Sequence, residues 1–557
     1  MDELHSRWEF SSRVLNALRG ALPDTTLEAW SMPVAEVAIS LPAPLLVRAV
    51  DVLLNDLGIW HLTTITCDVV SCDSTPDRAG SDEDQVIRLS YHFWQGTAVT
   101  LVVDLPLDAA WVASLTTLIP GASFYEREIY GMYGVRFEGH PDLRPLLLPD
   151  DWEGEPPMAS GRIHWQVWGE VEDQAGRTLS SGAGATGSLQ ATDALGATGR
   201  IVVPIGPQHP LLKEPLSLQL VLEGEHVVDS ALRLGYVHRG IERLCQDRTY
   251  VQAIHLIERV CGICSHVHTT TYCRAVEALM GLEVPPRAVY LRALLCELER
   301  VHSHLLWLGV LARNVGFDTI FMYAWRDREI VLDVMEDLSG GRVSHAVNVL
   351  GGVRVDLEES GRASISQQLD ILAAQVQRLL GFVEHERSLR ARTRGIGVLT
   401  LDDARRYCVV GPVARASGLD IDLRRDDVQP PYEHLTFAVP VHDAGDVWAR
   451  TLVRVQEAVE SVRLCRQLLD ALPDGPISVR APRRVPAGEA IARCEAPRGE
   501  VFYYVRGDGS DHPARVKIRT PTMTNLITLP AQLSEIAMAD VSVVLSGVDL
   551  CIACADR

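Results

Sequence analysis

What the chain lacks narrows its class. No stretch of its 557 residues approaches the roughly 18 uncharged apolar residues of a spanning helix, so any hold on a bilayer is expected to come through a partner. The N-terminus, Met1-Asp2-Glu3-Leu4-His5, has neither the basic start nor the apolar run of an export signal. Positive charge is scarce. Lys plus Arg total 52 against 73 for Asp plus Glu, and a net charge of −21 repels phosphate backbones, which argues against a nucleic-acid partner. Twelve cysteines are too few for a disulfide scaffold at this length, and without an export signal free thiols in a reducing compartment are expected. No internal repeat points to a solenoid.

What is present suits a globular chain with real cores: 47% apolar and 22% charged residues, long enough for two or three domains. Between Glu172 and Arg200 the sequence is rich in Gly, Ala, Ser and Thr with almost nothing to bury, the composition of a flexible tether. Before it, Val86–Trp94 and Ala98–Asp104 alternate as strands do, and Leu4–Leu22 and Ala109–Ile119 read as amphipathic helices. After it, Ala288–Arg313, Ile320–Leu338, Arg362–Arg387 and Val447–Leu472 carry apolar residues at three- and four-residue spacing. Gly499–Arg506 and Ala514–Thr520 read as a short hairpin. The expected fold class is α+β, in three parts. A small α+β domain spans residues 1–171, a flexible linker 172–200, and a larger, mostly α domain with a central helix bundle and short peripheral strands 201–557.

Eight cysteines are scattered and read as small buried hydrophobes: Cys67, Cys72, Cys245, Cys273, Cys296, Cys408, Cys465 and Cys494. The other four form two C-x-x-C pairs, Cys261/Cys264 and Cys551/Cys554. Two intervening residues let a tight turn aim both sulfurs at one ion, and Gly262 is expected to free the backbone for that turn. Thiolates select soft or borderline metals. Three readings stand on spacing alone: a four-cysteine zinc site, an iron–sulfur cluster, and a catalytic metal buried between distant segments. Ribbon-type zinc sites separate their pairs by about 15–20 residues, and they staple domains that lack a core, so the hundreds of residues here favour the third reading.

The flanking residues then add a resemblance. Arg259-x-Cys261-Gly262-x-Cys264, with His268 four residues on, and the final Asp549-x-Cys551-x-x-Cys554 resemble the paired motifs of nickel–iron hydrogenase large subunits. Glu495-Ala496-Pro497-Arg498-Gly499 and Pro521-Thr522 are similar to two further segments of that family. Gly206-Pro207-Gln208-His209-Pro210, Glu223-Gly224-Glu225 and Gly235-Tyr236-Val237-His238-Arg239-Gly240 resemble the quinone-site subunit of respiratory complex I. Phe124–Gly134 and Gly139–Arg144 resemble its small hydrophilic neighbour. A fusion of these modules that keeps four metal cysteines is the pattern of the formate-hydrogenlyase type of membrane-bound hydrogenase.

The resemblance implies a nickel–iron centre whose iron carries cyanide and carbon monoxide. Cys261 and Cys551 would be terminal nickel ligands, and Cys264 and Cys554 would bridge the metals. Glu223 would exchange protons with a thiolate, and Arg498 and Asp549 would flank the open coordination position. Thr522, beside Pro521, would donate to cyanide, and His268 would bond a bridging sulfur. His266 reads instead as a core histidine, and His238 and Arg239 as supports of an inherited fold. The implied activity is the interconversion of H2 with protons and electrons, in the evolving direction. No iron–sulfur cluster is expected in this chain, so the implied partners are an iron–sulfur small subunit, ferredoxin-like subunits, integral-membrane subunits, and formate dehydrogenase or another electron donor. The implied place is peripheral, on the cytoplasmic side of the membrane. The rival reading is a structural or quinone-reducing subunit of a complex I-like machine with a zinc or vestigial site. Leu550 stands where proline is usual, and Arg557 where a histidine often helps to hold magnesium, so no magnesium is assigned. In the resembled family an extension is removed three residues past the last cysteine, the place of Arg557.

Overall fold

The computed structural model describes residues 2–22, 27–32, 36–71, 85–149, 151–159, 171–172, 178–179, 199–427 and 429–557. Most of the expected linker, and Cys72, lie outside the described residues. Contacts divide the chain into two compact units. One is Met1–Ala197 with Arg233–Tyr236 and Arg405–Cys408, and the other is Thr198–Leu232, Val237–Ala404 and Val409–Arg557.

The first unit is built on five strands: β1 (Glu28–Met32), β2 (Glu36–Ser40), β3 (His61–Ser71), β4 (Gln85–Trp94) and β5 (Ala98–Pro106), in the order β1-β2-β5-β4-β3. Within this sheet, among the described residues, only the β2–β5 pairing is parallel. The alternating β4 and β5 bury Leu89, Tyr91 and Phe93 against Leu101 and Val103, and each such side chain contributes about 1.5–3 kcal/mol. The helix expected over Ala109–Ile119 does not form. Trp111–Ala113 is a strand paired in parallel with Arg136–Glu138, and a turn follows. The reason is a competing partner. The buried Glu126 carboxylate accepts the Leu115 N–H (2.7 Å) and the Ser114 hydroxyl (2.6 Å), which a continuing helix could not offer it. Glu126 belongs to the helix Ser123–Tyr133, within the Phe124–Gly134 motif.

The second unit centres on four long helices, Pro286–Asn314, Asp318–Ser339, Glu359–His385 and Val447–Asp470, close to the segments read from periodicity. Their core includes Leu298, Trp307, Val334, Leu372, Val462 and Leu468. The expected hairpin is real but has a third strand. Gly488–Ala496 pairs with Gly499–Gly507, which pairs with Arg515–Arg519. Among the described residues, no helix is long and apolar enough to cross a membrane.

Candidate metal centre

Two helix ends deliver the first cysteine pair. Tyr250–Glu258 starts with a capping box between Thr249 and Gln252 and stops just before the pair. Ser265–Met280 starts just after it, with Cys264 in the N-cap position. Sulfur caps poorly, and the Cys264 side chain makes no capping bond. Glu299, from the bundle helix Pro286–Asn314, supplies the missing acceptor, taking the His266 N–H at 2.8 Å and the Val267 N–H at 3.0 Å. Within the turn the Ile263 and Cys264 amides point at the Cys261 sulfur, at 3.3 and 3.4 Å. Gly262 does not adopt positive φ, and a Cβ there would meet Val343 at an ordinary 3.6 Å, so the turn does not depend on glycine.

The strained position is in the second pair. The helix Val541–Val548 ends at Asp549, which is left-handed at φ 61° and ψ 65°, and this turns the chain toward Cys551 and the short helix Ile552–Asp556. The bundle anchors the approach: Trp307 Nε1 donates to the Ser546 carbonyl (2.6 Å), and a Cβ on Gly547 would come within 2.7 Å of Val447.

All four sulfurs are buried and converge. Cys261 lies 3.5 Å from Cys551, Cys264 3.9 Å from Cys554, and Cys551 3.2 Å from Cys554. Four thiols this close cannot all ionise without a cation. Bonds with Cys261 and Cys554 draw Cys264 down to about 7, while the bond with Cys261 pushes Cys551 up to about 12. A bound cation would relieve that conflict, and the donor set suits a thiophilic one.

The surroundings also fit a bound group. The buried Asp549 carboxylate receives Lys213 (3.3 Å) and Arg498 (3.1 Å) on Oδ1, while Oδ2 has no partner among the described residues. Burial pushes the Asp549 carboxyl up, but Arg498, Lys213 and Arg454 outweigh it and hold the group ionised. Arg498 also donates to the Asp549 carbonyl (3.0 Å) and to Ser303 (3.3 Å). The next residue, Gly499, packs so tightly on Val410 and Gly411 that a Cβ would lie 2.7 Å from the Gly411 nitrogen. Pro521 opens the helix Pro521–Leu526, and the buried Thr522 hydroxyl likewise has no partner among the described residues. His268 Nε2 stands 3.7 Å from the Cys554 sulfur, and its Nδ1 faces the Tyr503 hydroxyl at 2.8 Å. Burial pushes that imidazole down to about 4, so it is neutral; with Tyr503 donating, its Nε2–H faces the sulfur. His266 is a core histidine on the Arg292 carbonyl (3.1 Å).

Glu223 does not join this group, and the expectation for it is corrected. It ends the strand Ser217–Glu223 before the turning Gly224, exposed, with its carboxylate on Arg200 at 3.3 Å. A half-buried carboxylate, Glu214, lies instead beside the second cysteine pair. Its Oε2 accepts the Ala553 N–H at 2.9 Å, between the second pair of cysteines. Burial first, and then the nearby Cys551 sulfur, pushes it up to about 7. Glu214 lines an open cleft of about 480 Å³ with Gln208, His209 and Lys213. One signal could have found this region. The chain has only two lysines, Lys213 and Lys517, and both lie in the site's ionic surround, on Asp549 and on Glu242. Glu242 also receives Arg515 (2.8 Å) and Arg557 (3.3 Å).

Comparison with known proteins shows the chain's relatives. Residues 314–484 and 478–557 match the family described as Respiratory-chain NADH dehydrogenase, 49 Kd subunit, and residues 40–160 match the 30 Kd subunit family. Residues 239–313, which carry the first cysteine pair, match the Nickel-dependent hydrogenase family. The chain is 42% identical over 356 residues to the carbon monoxide-induced hydrogenase of Rhodospirillum rubrum, covering 64% of this chain and 99% of that protein. It is 34% identical over 461 residues to formate hydrogenlyase subunit 5 of Escherichia coli, covering 82% and 79%. Among solved structures, a chain of the membrane-bound sulfane sulfur reductase, an archaeal respiratory membrane complex, matches with a TM-score of 0.62 and 33% identity, over 65% of this chain and 99% of that one. The chain belongs to the nickel–iron hydrogenase large-subunit family, in its membrane-bound, complex I-related branch, with a domain of the small hydrophilic complex I subunit type fused ahead of it.

Proposed function

We propose that Cys261, Cys264, Cys551 and Cys554 hold a nickel–iron centre whose iron carries cyanide and carbon monoxide, and that the chain interconverts H2 with protons and electrons, in the evolving direction. The observation that carries this reading is the convergence of four buried sulfurs, together with two buried oxygens, Asp549 Oδ2 and Thr522 Oγ1, that have no partner among the described residues. When bound, the centre supplies the chemistry of the H–H bond.

This chain's residues do the rest. Arg498 and Asp549 present a fixed ion pair to the pocket and spare it reorganisation during the reaction. Thr522, whose hydroxyl has no partner among the described residues, would donate to a diatomic iron ligand. His268 donates toward the Cys554 sulfur and tempers its basicity. Glu214, buried at one end and open to the cleft at the other, moves protons between the thiolates and solvent.

Electrons for H2 evolution would arrive from formate dehydrogenase or another donor, through ferredoxin-like subunits and then an iron–sulfur small subunit. Integral-membrane subunits would hold the chain at the cytoplasmic face. The test is metal analysis of the native complex with infrared spectra in the cyanide and carbonyl region. Nickel with iron and the corresponding bands is the expected result; zinc alone would overturn it. The 480 Å³ cleft favours a second reading, a quinone-reducing subunit, because it offers a small-molecule site beside Glu214 and His209. Hydrogen-dependent dye reduction by the purified complex separates the two.

A further inference from the structure

Residues 237–242 carry no metal ligand, yet they receive the segment that holds the second cysteine pair. The Val237 N–H donates to the Asp556 carboxylate at 3.0 Å, and His238 Nδ1–H to the Asp556 carbonyl at 2.6 Å. The Arg239 N–H donates to the Arg557 carbonyl at 2.9 Å, and Glu242 takes the Arg557 side chain at 3.3 Å. The Arg239 side chain reaches further. One terminal nitrogen donates to the Arg259 carbonyl (2.6 Å), and the other is shared between the Val260 carbonyl (3.1 Å) and the Ala553 carbonyl (2.8 Å). Its Nε donates to the Val237 carbonyl at 3.3 Å, which fixes the side chain's direction. Arg259 and Val260 lead into Cys261, and Ala553 lies between Cys551 and Cys554.

We infer that Arg239 is a positioning residue for the metal centre, a clasp that grips both cysteine-bearing segments with one guanidinium and so closes the second pair over the pocket. The physical need is specific. The carbonyls of Arg259 and Val260 fall where one helix has ended and the next has not begun, so both need an outside donor. A planar guanidinium with five N–H groups serves three converging carbonyls at once, which an ammonium on a flexible stem does not. The direct contacts between the two pairs are among the sulfurs themselves, and four sulfurs repel as they ionise. The clasp thus holds the segments in register independently of the sulfur charge. The inference rests on the proposed function only for its purpose, the holding of a metal.

The experiment uses the full-length protein as isolated, wild type beside Arg239→Gln and Arg239→Lys. Short iodoacetamide pulses followed by peptide mass spectrometry report the accessibility of each cysteine, hydrogen exchange reports residues 541–557 and the bundle helices, and nickel and iron are counted in the same samples. In Arg239→Gln, Cys551 and Cys554 should alkylate about tenfold faster, with faster exchange over residues 541–557 and unchanged exchange in the bundle. Arg239→Lys should fall between the two. Wild-type alkylation rates in Arg239→Gln, or an equal rise at the bundle residue Cys465, would overturn the clasp. Metal-free wild-type protein whose C-terminal segment still opens in Arg239→Gln would sink the nickel–iron reading and leave the clasp standing.

Discussion

The Cys264 thiol lies 3.9 Å from that of Cys554, 290 residues further along the chain. The helical bundle and the three-stranded sheet lie between these two residues in the chain, so the sulfur cluster depends on the fold of the second unit. A hard hydroxyl poorly replaces a soft thiolate at such a position. Cys264→Ser should abolish hydrogen activity and bound nickel. Cys465→Ser, buried in the bundle beside the Leu294 carbonyl, should cost about 1–2 kcal/mol of stability and keep the metal. Near wild-type hydrogen evolution by Cys264→Ser would show that the sulfur is not a ligand.

Glu214 and Glu223 divide sharply in environment, and this yields a paired prediction. Glu214→Gln keeps an acceptor for the Ala553 N–H but cannot carry a proton, so turnover should fall by about 10²–10⁴ with metal content unchanged. Glu223→Gln removes only an exposed pairing with Arg200 and should leave turnover within about twofold. Dye-linked hydrogen assays with metal counts on both variants decide it. The reverse ranking would return the proton role to Glu223.

Glu126 gives the first unit a pH dependence. Burial pushes its carboxyl up to about 8, against the lowering bonds from Ser114 and Leu115. A carboxyl raised in the folded state binds its proton more tightly there than in the unfolded chain. Its stabilising contribution is therefore complete below the ordinary glutamate range of about 4.3 and is lost as pH rises toward 8, a change on the order of 4 kcal/mol. Glu126→Gln should flatten that dependence. Thermal melts of the full chain between pH 5 and 8 measure it, and parallel pH dependence in wild type and variant would refute the assignment.

The composition between Glu172 and Arg200 makes a proteolytic prediction. Limited digestion should cut first in that segment and leave two compact fragments, one ending near residue 171 and one starting near residue 201. Mass spectrometry of the earliest fragments locates the cut. A first cut inside either fragment would displace the proposed domain boundaries.

The sequence by itself determined the long bundle helices, because apolar residues at three- and four-residue spacing leave few other ways to bury them. It also determined the cysteine pairs as a unit, since two C-x-x-C turns carry their chemistry in local spacing. Local competition was harder to read. Ala109–Ile119 has helical periodicity but yields to Glu126, which takes Ser114 and Leu115 for itself. The carboxylate proposed to carry protons was not legible at all. Glu223 sits in a family-like Glu-Gly-Glu segment that ends at the surface, whereas Glu214 gains its place beside the cysteines from Ala553, 339 residues away. Arg239 likewise acts on carbonyls at positions 259, 260 and 553, and a backbone carbonyl carries no sequence signal. Spacing along the chain reveals groups that act through near neighbours. Desolvation, and bonds to backbone atoms hundreds of residues distant, exist only once the tertiary structure has brought those segments together.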